Sequence, residues 1–196
     1  MIYYIRHGST DWNENISVTG EKDPKCQGKA DISLNEKGIQ QAKQLADKIK
    51  NLIIHKVFCS PLERTRQTLQ YAYSGNAPIV YDERIIERDF GEFEGLTRKE
   101  FDFRGFWDLS NNQKLKTAES IVDLEKRVFS LLDELKKHPS KNFLLVSHGG
   151  VGIIVQSYFY GKPKDSNYLQ YEIKTGEVKE FDFAKLKTLK SHKNDE

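Results

Sequence analysis

Met1-Ile2-Tyr3-Tyr4-Ile5-Arg6-His7-Gly8 opens the chain as a short apolar run that stops at two basic residues and a glycine. Phe143-Leu144-Leu145-Val146-Ser147-His148-Gly149-Gly150 repeats the arrangement near the other end. Each run is short, bounded by glycine and rich in β-branched or aromatic residues, so each reads as a buried strand. In open α/β sheets, ligands sit beyond the carboxyl ends of the strands. The repeated pattern therefore predicts two imidazoles and an arginine in one crevice, built from both ends of the chain.

Working outward, Val57-Phe58-Cys59 reads as a third strand, followed by Ser60-Pro61-Leu62-Glu63-Arg64. Ser60 with Glu63 fits a capping box, and Pro61 fits the first helical position, where its missing N–H costs nothing. A helix is expected from there to about Tyr73, with Arg64 in its first turn, stopped by Ser74-Gly75-Asn76. Another helix is expected after Asn35 as cap, with Ile39, Ala42, Ala46 and Ile49 on one face. The clearest helical stripe spans 119–137: Ile121, Leu124, Val128, Leu131, Leu132 and Leu135, ended by His138-Pro139. A further helix is expected over 150–159, and Thr97 with Glu100 suggests a short one. Strands are expected at 79–81, 168–172 and 178–183. This alternation predicts an α/β fold of three layers, a mostly parallel sheet flanked by helices on both faces.

The 196 residues suit one domain, assigned to 1–183, with 184–196 as a basic, flexible tail. Hydrophobic residues make up 37% and charged residues 31%, which gives a charged surface without the composition of a disordered chain. The net charge of +2 is nearly neutral, and Lys185, Lys187, Lys190 and Lys193 concentrate the excess in the tail. A solvated, solubilising tail is the expectation, with no nucleic acid and no membrane as partner. No apolar stretch approaches the ~20 residues of a spanning helix. The chain enters a strand at once, without the features of a signal peptide, so a cytoplasmic location is expected. Cys26 and Cys59 form no C-x-x-C pair and read as reduced thiols, Cys59 in the core. His7, His55, His138, His148 and His192 show no metal-ligand spacing, so no metal is expected. Nothing in the spacing sets an oligomeric state.

Arg6, His7, Arg64 and His148 all lie at strand ends or helix starts. Arginines in a crevice grip tetrahedral anions through paired hydrogen bonds, and helix N-termini with free glycine amides favour the same ligands. The set reads as a phosphate site. Neighbouring arginines lower the pKa of a histidine, and a neutral imidazole is what a nucleophile must be. A lone strand-end histidine is more often structural; two His-Gly pairs with an arginine reverse that preference. A phosphoryl leaving group also needs a proton donor. Spacing alone does not choose among Glu83, Glu87, Asp89, Glu92 and Glu94. Phe106 and Trp107 stand where they could wall a substrate or pack in the core, and Tyr3 and Tyr4 read as core.

These residues resemble the histidine phosphatase superfamily, which includes the cofactor-dependent phosphoglycerate mutases. Arg6-His7-Gly8-Ser9-Thr10-Asp11-Trp12-Asn13 is similar to its opening signature, and Ser60 to Thr68 to its second motif. Glu83-Arg84-Ile85-Ile86-Glu87 with Gly91-Glu92-Phe93-Glu94-Gly95 resembles its acid segment, and Ser147-His148-Gly149-Gly150 its last motif. The resemblance implies a phosphoglycerate mutase-like fold, with His7 as a transiently phosphorylated nucleophile and Glu87 as proton donor. It implies that Arg6, Arg64, His148 and Gly149 hold the phosphoryl oxygens, with Asn13 and Gln27 adding hydrogen bonds. No cofactor or metal is implied, because arginine and histidine supply the positive charge. Residues 14–25 form a longer insertion than the family usually carries, able to overhang the crevice, and Thr65 stands where alanine is common.

The resemblance implies that mutases of the family carry a longer insertion between the acid segment and the last His-Gly, whereas 88–147 is compact here and largely used by the 119–137 helix. The expected function is a phosphatase of small phosphorylated metabolites, with phosphoglycerate mutase as the alternative. A non-catalytic phospholigand-binding protein would lack the nucleophile or the acid, and both are present.

Overall fold

The computed structural model describes residues 1–111 and 117–186. The opening run forms strand β1 (Ile2–Arg6), followed by helix α1 (Glu36–Ile49), β2 (Lys56–Cys59), α2 (Glu63–Ala72) and β3 (Ile79–Tyr81). A one-turn helix α3 (Phe103–Phe106) precedes α4 (Ile121–Lys136), β4 (Phe143–Ser147), α5 (Gly149–Tyr160) and β5 (Val178–Phe181). The sheet order is β3-β2-β4-β1-β5. The β3–β2, β2–β4 and β4–β1 ladders are parallel, and β5 closes the β1 edge antiparallel.

The period of two in the strands decides the layers. Leu144 and Val146 of β4 join Ile5, Val57 and Cys59 against Leu45 and Ile49 of α1 and Leu69 and Ala72 of α2. Phe143 and Leu145 face the other way, with Ile2, Tyr4 and Phe58, onto the apolar stripes of α4 and α5. Both faces are thus covered, which is why the central strands read as unbroken apolar runs rather than alternating ones.

Register places the chemistry. Arg6 pairs with Ser147 and Cys59 with Val146, so β1, β2 and β4 end level. The His7 amide donates to the Ser147 carbonyl at 2.9 Å and the Ser60 amide to the Val146 carbonyl at 3.0 Å. His7, Ser60 and His148 therefore leave the sheet side by side. Behind His7, Gly8 and Gly38 bring the β1 exit against the start of α1 so closely that a Cβ on either would run into backbone.

Four expectations need correction. Ser60 does not cap α2: that helix starts at Glu63 after Leu62, with no side-chain cap, and the Ser60 hydroxyl accepts from His148 instead. Residues 168–172 are not a strand but a 3-10 turn, Tyr168–Tyr171, capped by Asn167. Its Tyr168 hydroxyl donates to Glu125 on α4 at 2.6 Å, a tertiary bond that outweighs strand propensity. The Thr97 amide donates to the Glu100 carboxylate at 2.6 Å, but no helix starts there; α3 begins at Phe103 with the Asp102 side chain as cap. Packing also continues past residue 183, since Leu186 is buried in the core cluster. The remainder of the expected tail, 187–196, lies outside the described residues. Asn35 caps α1 as the sequence indicates, and Ser120 caps α4. Among the described residues no helix is long and apolar enough to cross a membrane.

Candidate active site

The two histidines from opposite ends of the chain meet beyond the sheet, their ring centroids 5.3 Å apart in an edge arrangement. His7 Nδ1 lies 2.7 Å from the Gly8 carbonyl. A carbonyl only accepts, so Nδ1 carries the proton and Nε2 keeps its lone pair. His148 is held the other way: its Nδ1 accepts from Arg64 Nε at 3.2 Å, and its Nε2 donates to the Ser60 hydroxyl at 2.7 Å. The Tyr4 hydroxyl donates to the His148 carbonyl, fixing the backbone as well.

Both rings are held well below the usual histidine value. Burial is the main cause for each, and the Arg64 guanidinium comes next. The arginines singled out from sequence thus contribute, but loss of hydration dominates. An unfolded histidine takes up a proton near pH 6.5, while these stay neutral in the fold. Below that pH the unfolded chain binds more protons, so stability must fall on acidification. Each ring costs about 1.4 kcal/mol per pH unit below pH ~6, until its own depressed value is reached. Glu14, held at about 2 by the Ser9 hydroxyl and two lysines, loses its contribution only as pH drops below 4.5. Urea unfolding at pH 7.5, 6.5 and 5.5 should show this decline, and His7→Gln should remove about half of it. An unchanged slope in that variant would contradict the buried neutral state of His7.

In front of His7 lies a cavity with about 60 Å³ of water-accessible space, room for a handful of waters. Arg6, His7, Asn13, Gln27, Glu87 and Gly149 all line it. Two buried donors beside it, Arg6 Nε and Gln27 Nε2, have no hydrogen-bond partner among the described residues. A buried unpaired donor costs about 1–3 kcal/mol, so two at one cavity mark it as built for an acceptor-rich ligand. Thr10 fixes the amides: its hydroxyl donates to Gln27 Oε1 at 2.9 Å, and its N–H and hydroxyl contact Asn13 Oδ1 at 3.1 Å. Both amide oxygens are thereby occupied, and the NH₂ groups are left for the cavity. Gly149 starts α5 beside the Arg6 guanidinium, where a Cβ would lie 3.0 Å from the guanidinium carbon. The twelve-residue helix directs its positive end at the same place.

Arg64 and His148 stand one layer back and do not line the cavity. Arg64 is fully buried, and besides His148 it donates to the Ala30 carbonyl at 2.7 Å and the Gly28 carbonyl at 2.8 Å. Those bonds hold the backbone that leads out of Gln27. The 14–25 insertion does not displace Gln27; Pro24 and Lys25 form part of the rim instead. Thr65 ties down the β2 exit by donating to the Ser60 carbonyl at 2.9 Å.

Among the five carboxylates left open by spacing, the fold brings Glu87 alone to the cavity. Its Oε1 accepts from the Arg88 amide at 2.8 Å and its Oε2 from the Gly150 amide at 3.1 Å. Gly150 has to be glycine, because a Cβ there would strike Glu87 Oε1 and lie 2.8 Å from Trp107. Asp89 pairs with Lys29 at 2.9 Å, Glu94 accepts from the amides of Lys29 and Ala30, and Glu83 and Glu92 are exposed. Trp107 is a cavity wall, whereas Phe106 is core, stacked on Phe90. Tyr4 is core apart from its hydroxyl.

Sequence reasoning missed Arg98 and Glu172. They pair at 2.8 Å on the cavity rim, with Glu172 3.8 Å from Arg6. Glu172 lay hidden in a stretch read as a strand. Thr10 sat inside a quoted motif without an assigned role, and Ser60 read as a helix cap rather than as a partner of His148.

Known proteins share this arrangement of elements. The chain is 32% identical over 163 residues to a probable phosphatase of Schizosaccharomyces pombe, covering 81% of this chain and 72% of that protein. It is 33% identical over 168 residues to a probable phosphoglycerate mutase of Escherichia coli, covering 80% and 74% respectively. Among solved structures, YhfR of Bacillus stearothermophilus superposes with a TM-score of 0.76 at 24% identity, over 90% of this chain and 88% of that one, a likeness of fold. The family model for the histidine phosphatase superfamily, branch 1, matches residues 2–196. A match over that length, with relatives above 30% identity, shows that this chain belongs to the histidine phosphatase superfamily.

Proposed function

We propose that the protein is a metal-independent phosphatase that hydrolyses phosphate monoesters of small metabolites through a phosphohistidine on His7. The observation that carries this is the convergence, on one small cavity, of a neutral imidazole, two unpaired buried donors and the Glu87 carboxyl group. His7 Nε2 attacks phosphorus, forming a P–N bond as the P–O bond to the alcohol breaks. Glu87 gives a proton to the departing oxygen. Arg6, Asn13, Gln27 and the N-terminus of α5 bind the three equatorial oxygens, where charge collects in the transition state. Water then attacks the phosphohistidine, Glu87 takes its proton, and phosphate leaves with His7 restored. Arg64, Ser60 and His148 form the support that keeps the donors and His7 in place.

Relatives bear both phosphatase and mutase names, so the reaction's outcome is the point to test. Only about 60 Å³ lies behind a mouth rimmed by Pro24, Lys25 and Arg98. The leaving group extends toward solvent, and water reaches the phosphohistidine. Purified protein given 3-phosphoglycerate with 2,3-bisphosphoglycerate should release inorganic phosphate and form little 2-phosphoglycerate. Fast isomerisation without phosphate release would replace this reading with a mutase. A panel of phosphorylated metabolites assayed for phosphate release then ranks the leaving groups.

A further inference from the structure

The segment that carries Glu87 has little structure of its own. It leaves a three-residue turn, Glu83–Ile85, and runs extended along the edge of the cavity. The Ser147 hydroxyl donates to the Ile85 carbonyl at 2.7 Å, and three further carbonyls are met by a single side chain. Arg127, on α4, donates Nη1 to the carbonyls of Arg84 at 2.9 Å and Ile86 at 2.6 Å, and Nη2 to that of Glu87 at 3.1 Å. Its remaining donors go to Glu119, Nε to Oε1 at 2.7 Å and Nη2 to Oε2 at 2.8 Å. All five guanidinium N–H groups are thereby engaged. Glu119 continues the brace: its Oε2 accepts from the Asp89 amide at 3.2 Å, its own amide donates to the Asp89 carbonyl, and its carbonyl accepts from Arg88 Nε. Both charged side chains are largely buried, 19% and 16% exposed.

We propose that Arg127, braced by Glu119, is a positioning residue that fixes the Glu87 carboxyl against the departing oxygen. This rests on the phosphatase reading above and extends it. The carboxylate end of Glu87 is held by the amides of Arg88 and Gly150. Those bonds set its direction only if the backbone beneath stays put, and Arg127 binds the carbonyl of Glu87 itself and that of the residue before it. A planar fork reaches three carbonyls and a carboxylate together, whereas a lysine ammonium on a flexible stem reaches one or two of them. Loss of the fork lets the 84–89 segment shift, and a displacement of about 1 Å at a catalytic group costs up to about 10²-fold.

A merely structural arginine would, on removal, lower the rate equally for all substrates. A positioning role for the acid predicts a dependence on the leaving group. The experiment compares kcat/KM for p-nitrophenyl phosphate and an alkyl phosphate in Arg127→Lys, Arg127→Met and Glu119→Gln, each alone and combined with Glu87→Gln. Arg127→Lys should lose about 10–100-fold on the alkyl phosphate and no more than about threefold on p-nitrophenyl phosphate, whose departing oxygen hardly needs a proton. Added to Glu87→Gln, it should cost nothing further, because the two act as a unit. Equal losses on both substrates, or the full loss again in the Glu87→Gln background, would overturn the proposal. Arg127→Met strands Glu119 and three carbonyls; should it fail to fold, Arg127→Lys and Glu119→Gln carry the comparison. Absence of turnover in the unsubstituted protein would remove the phosphatase reading itself, an outcome seen before any variant is made.

Discussion

His7→Ala is expected to abolish turnover, by on the order of 10⁴-fold or more, while the protein stays folded. In the proposed reaction the lone pair on His7 Nε2 is the only group placed to bond phosphorus. His148 does not take over, since its Nδ1 accepts from Arg64 and its Nε2 donates to Ser60, one layer behind the cavity. The fold tolerates the change for the same reason. Among the described residues the His7 ring hydrogen-bonds only the neighbouring Gly8 carbonyl, and the Arg64–His148–Ser60 support does not pass through it. The space left joins the existing cavity and fills with water. The check is twofold. Labelled substrate given to the unsubstituted protein and quenched in alkali should yield a phosphoprotein that acid destroys, and His7→Ala should yield none. Retained turnover in a folded His7→Ala would reject His7 as the nucleophile.

Much of the architecture was readable because buried parallel strands leave a plain mark. Ile2 to Ile5 and Phe143 to Val146 have no polar face to show, and both run into a histidine and a glycine. Their level endings follow from register, which sequence does not print but which two adjacent buried strands nearly enforce. Where local signals failed, a long-range partner had outbid them. The Ser60-Glu63 spacing satisfied the capping rule, yet Ser60 is claimed by His148, 88 residues away. Tyr168 and Tyr171 suit a strand by composition, yet Glu125 on α4 pulls the first of them into a turn.

The site was legible as a set of residue types and obscure as a set of layers. Arg6, His7 and Arg64 look alike in a motif, but only the fold separates Arg6, with an unpaired Nε at the cavity, from Arg64, whose donors are spent on His148 and two carbonyls. The acid segment offered five carboxylates, and choosing Glu87 needs the α5 start, since Gly150 supplies one of its hydrogen bonds. Arg127 gave no signal at all. On α4 the sequence displays an apolar stripe, and a polar residue beside it looks like solvated surface until the carbonyls it binds are seen.

Glu87→Gln separates two jobs that one carboxyl performs in sequence. Departure of an alkoxide needs a proton, so kcat/KM on an alkyl phosphate should fall by about 10²–10⁴-fold. Departure of p-nitrophenolate does not, so phosphorylation of His7 by p-nitrophenyl phosphate should proceed at nearly its former rate. Glutamine cannot then accept a proton from the incoming water, and the phosphohistidine should accumulate. The expected trace is a rapid release of one equivalent of p-nitrophenol followed by a slow steady state, where the unsubstituted protein shows a single linear phase. Glutamine also leaves an NH₂ facing one of the two backbone amides that Glu87 accepts from, those of Arg88 and Gly150, at a stability cost of about 1–3 kcal/mol. That cost lowers the unfolding midpoint but applies equally whichever substrate is bound, so it cannot imitate a dependence on the leaving group. A uniform loss on both substrates, with no early release, would assign the proton to another group and leave Glu87 as a mere brace for α5.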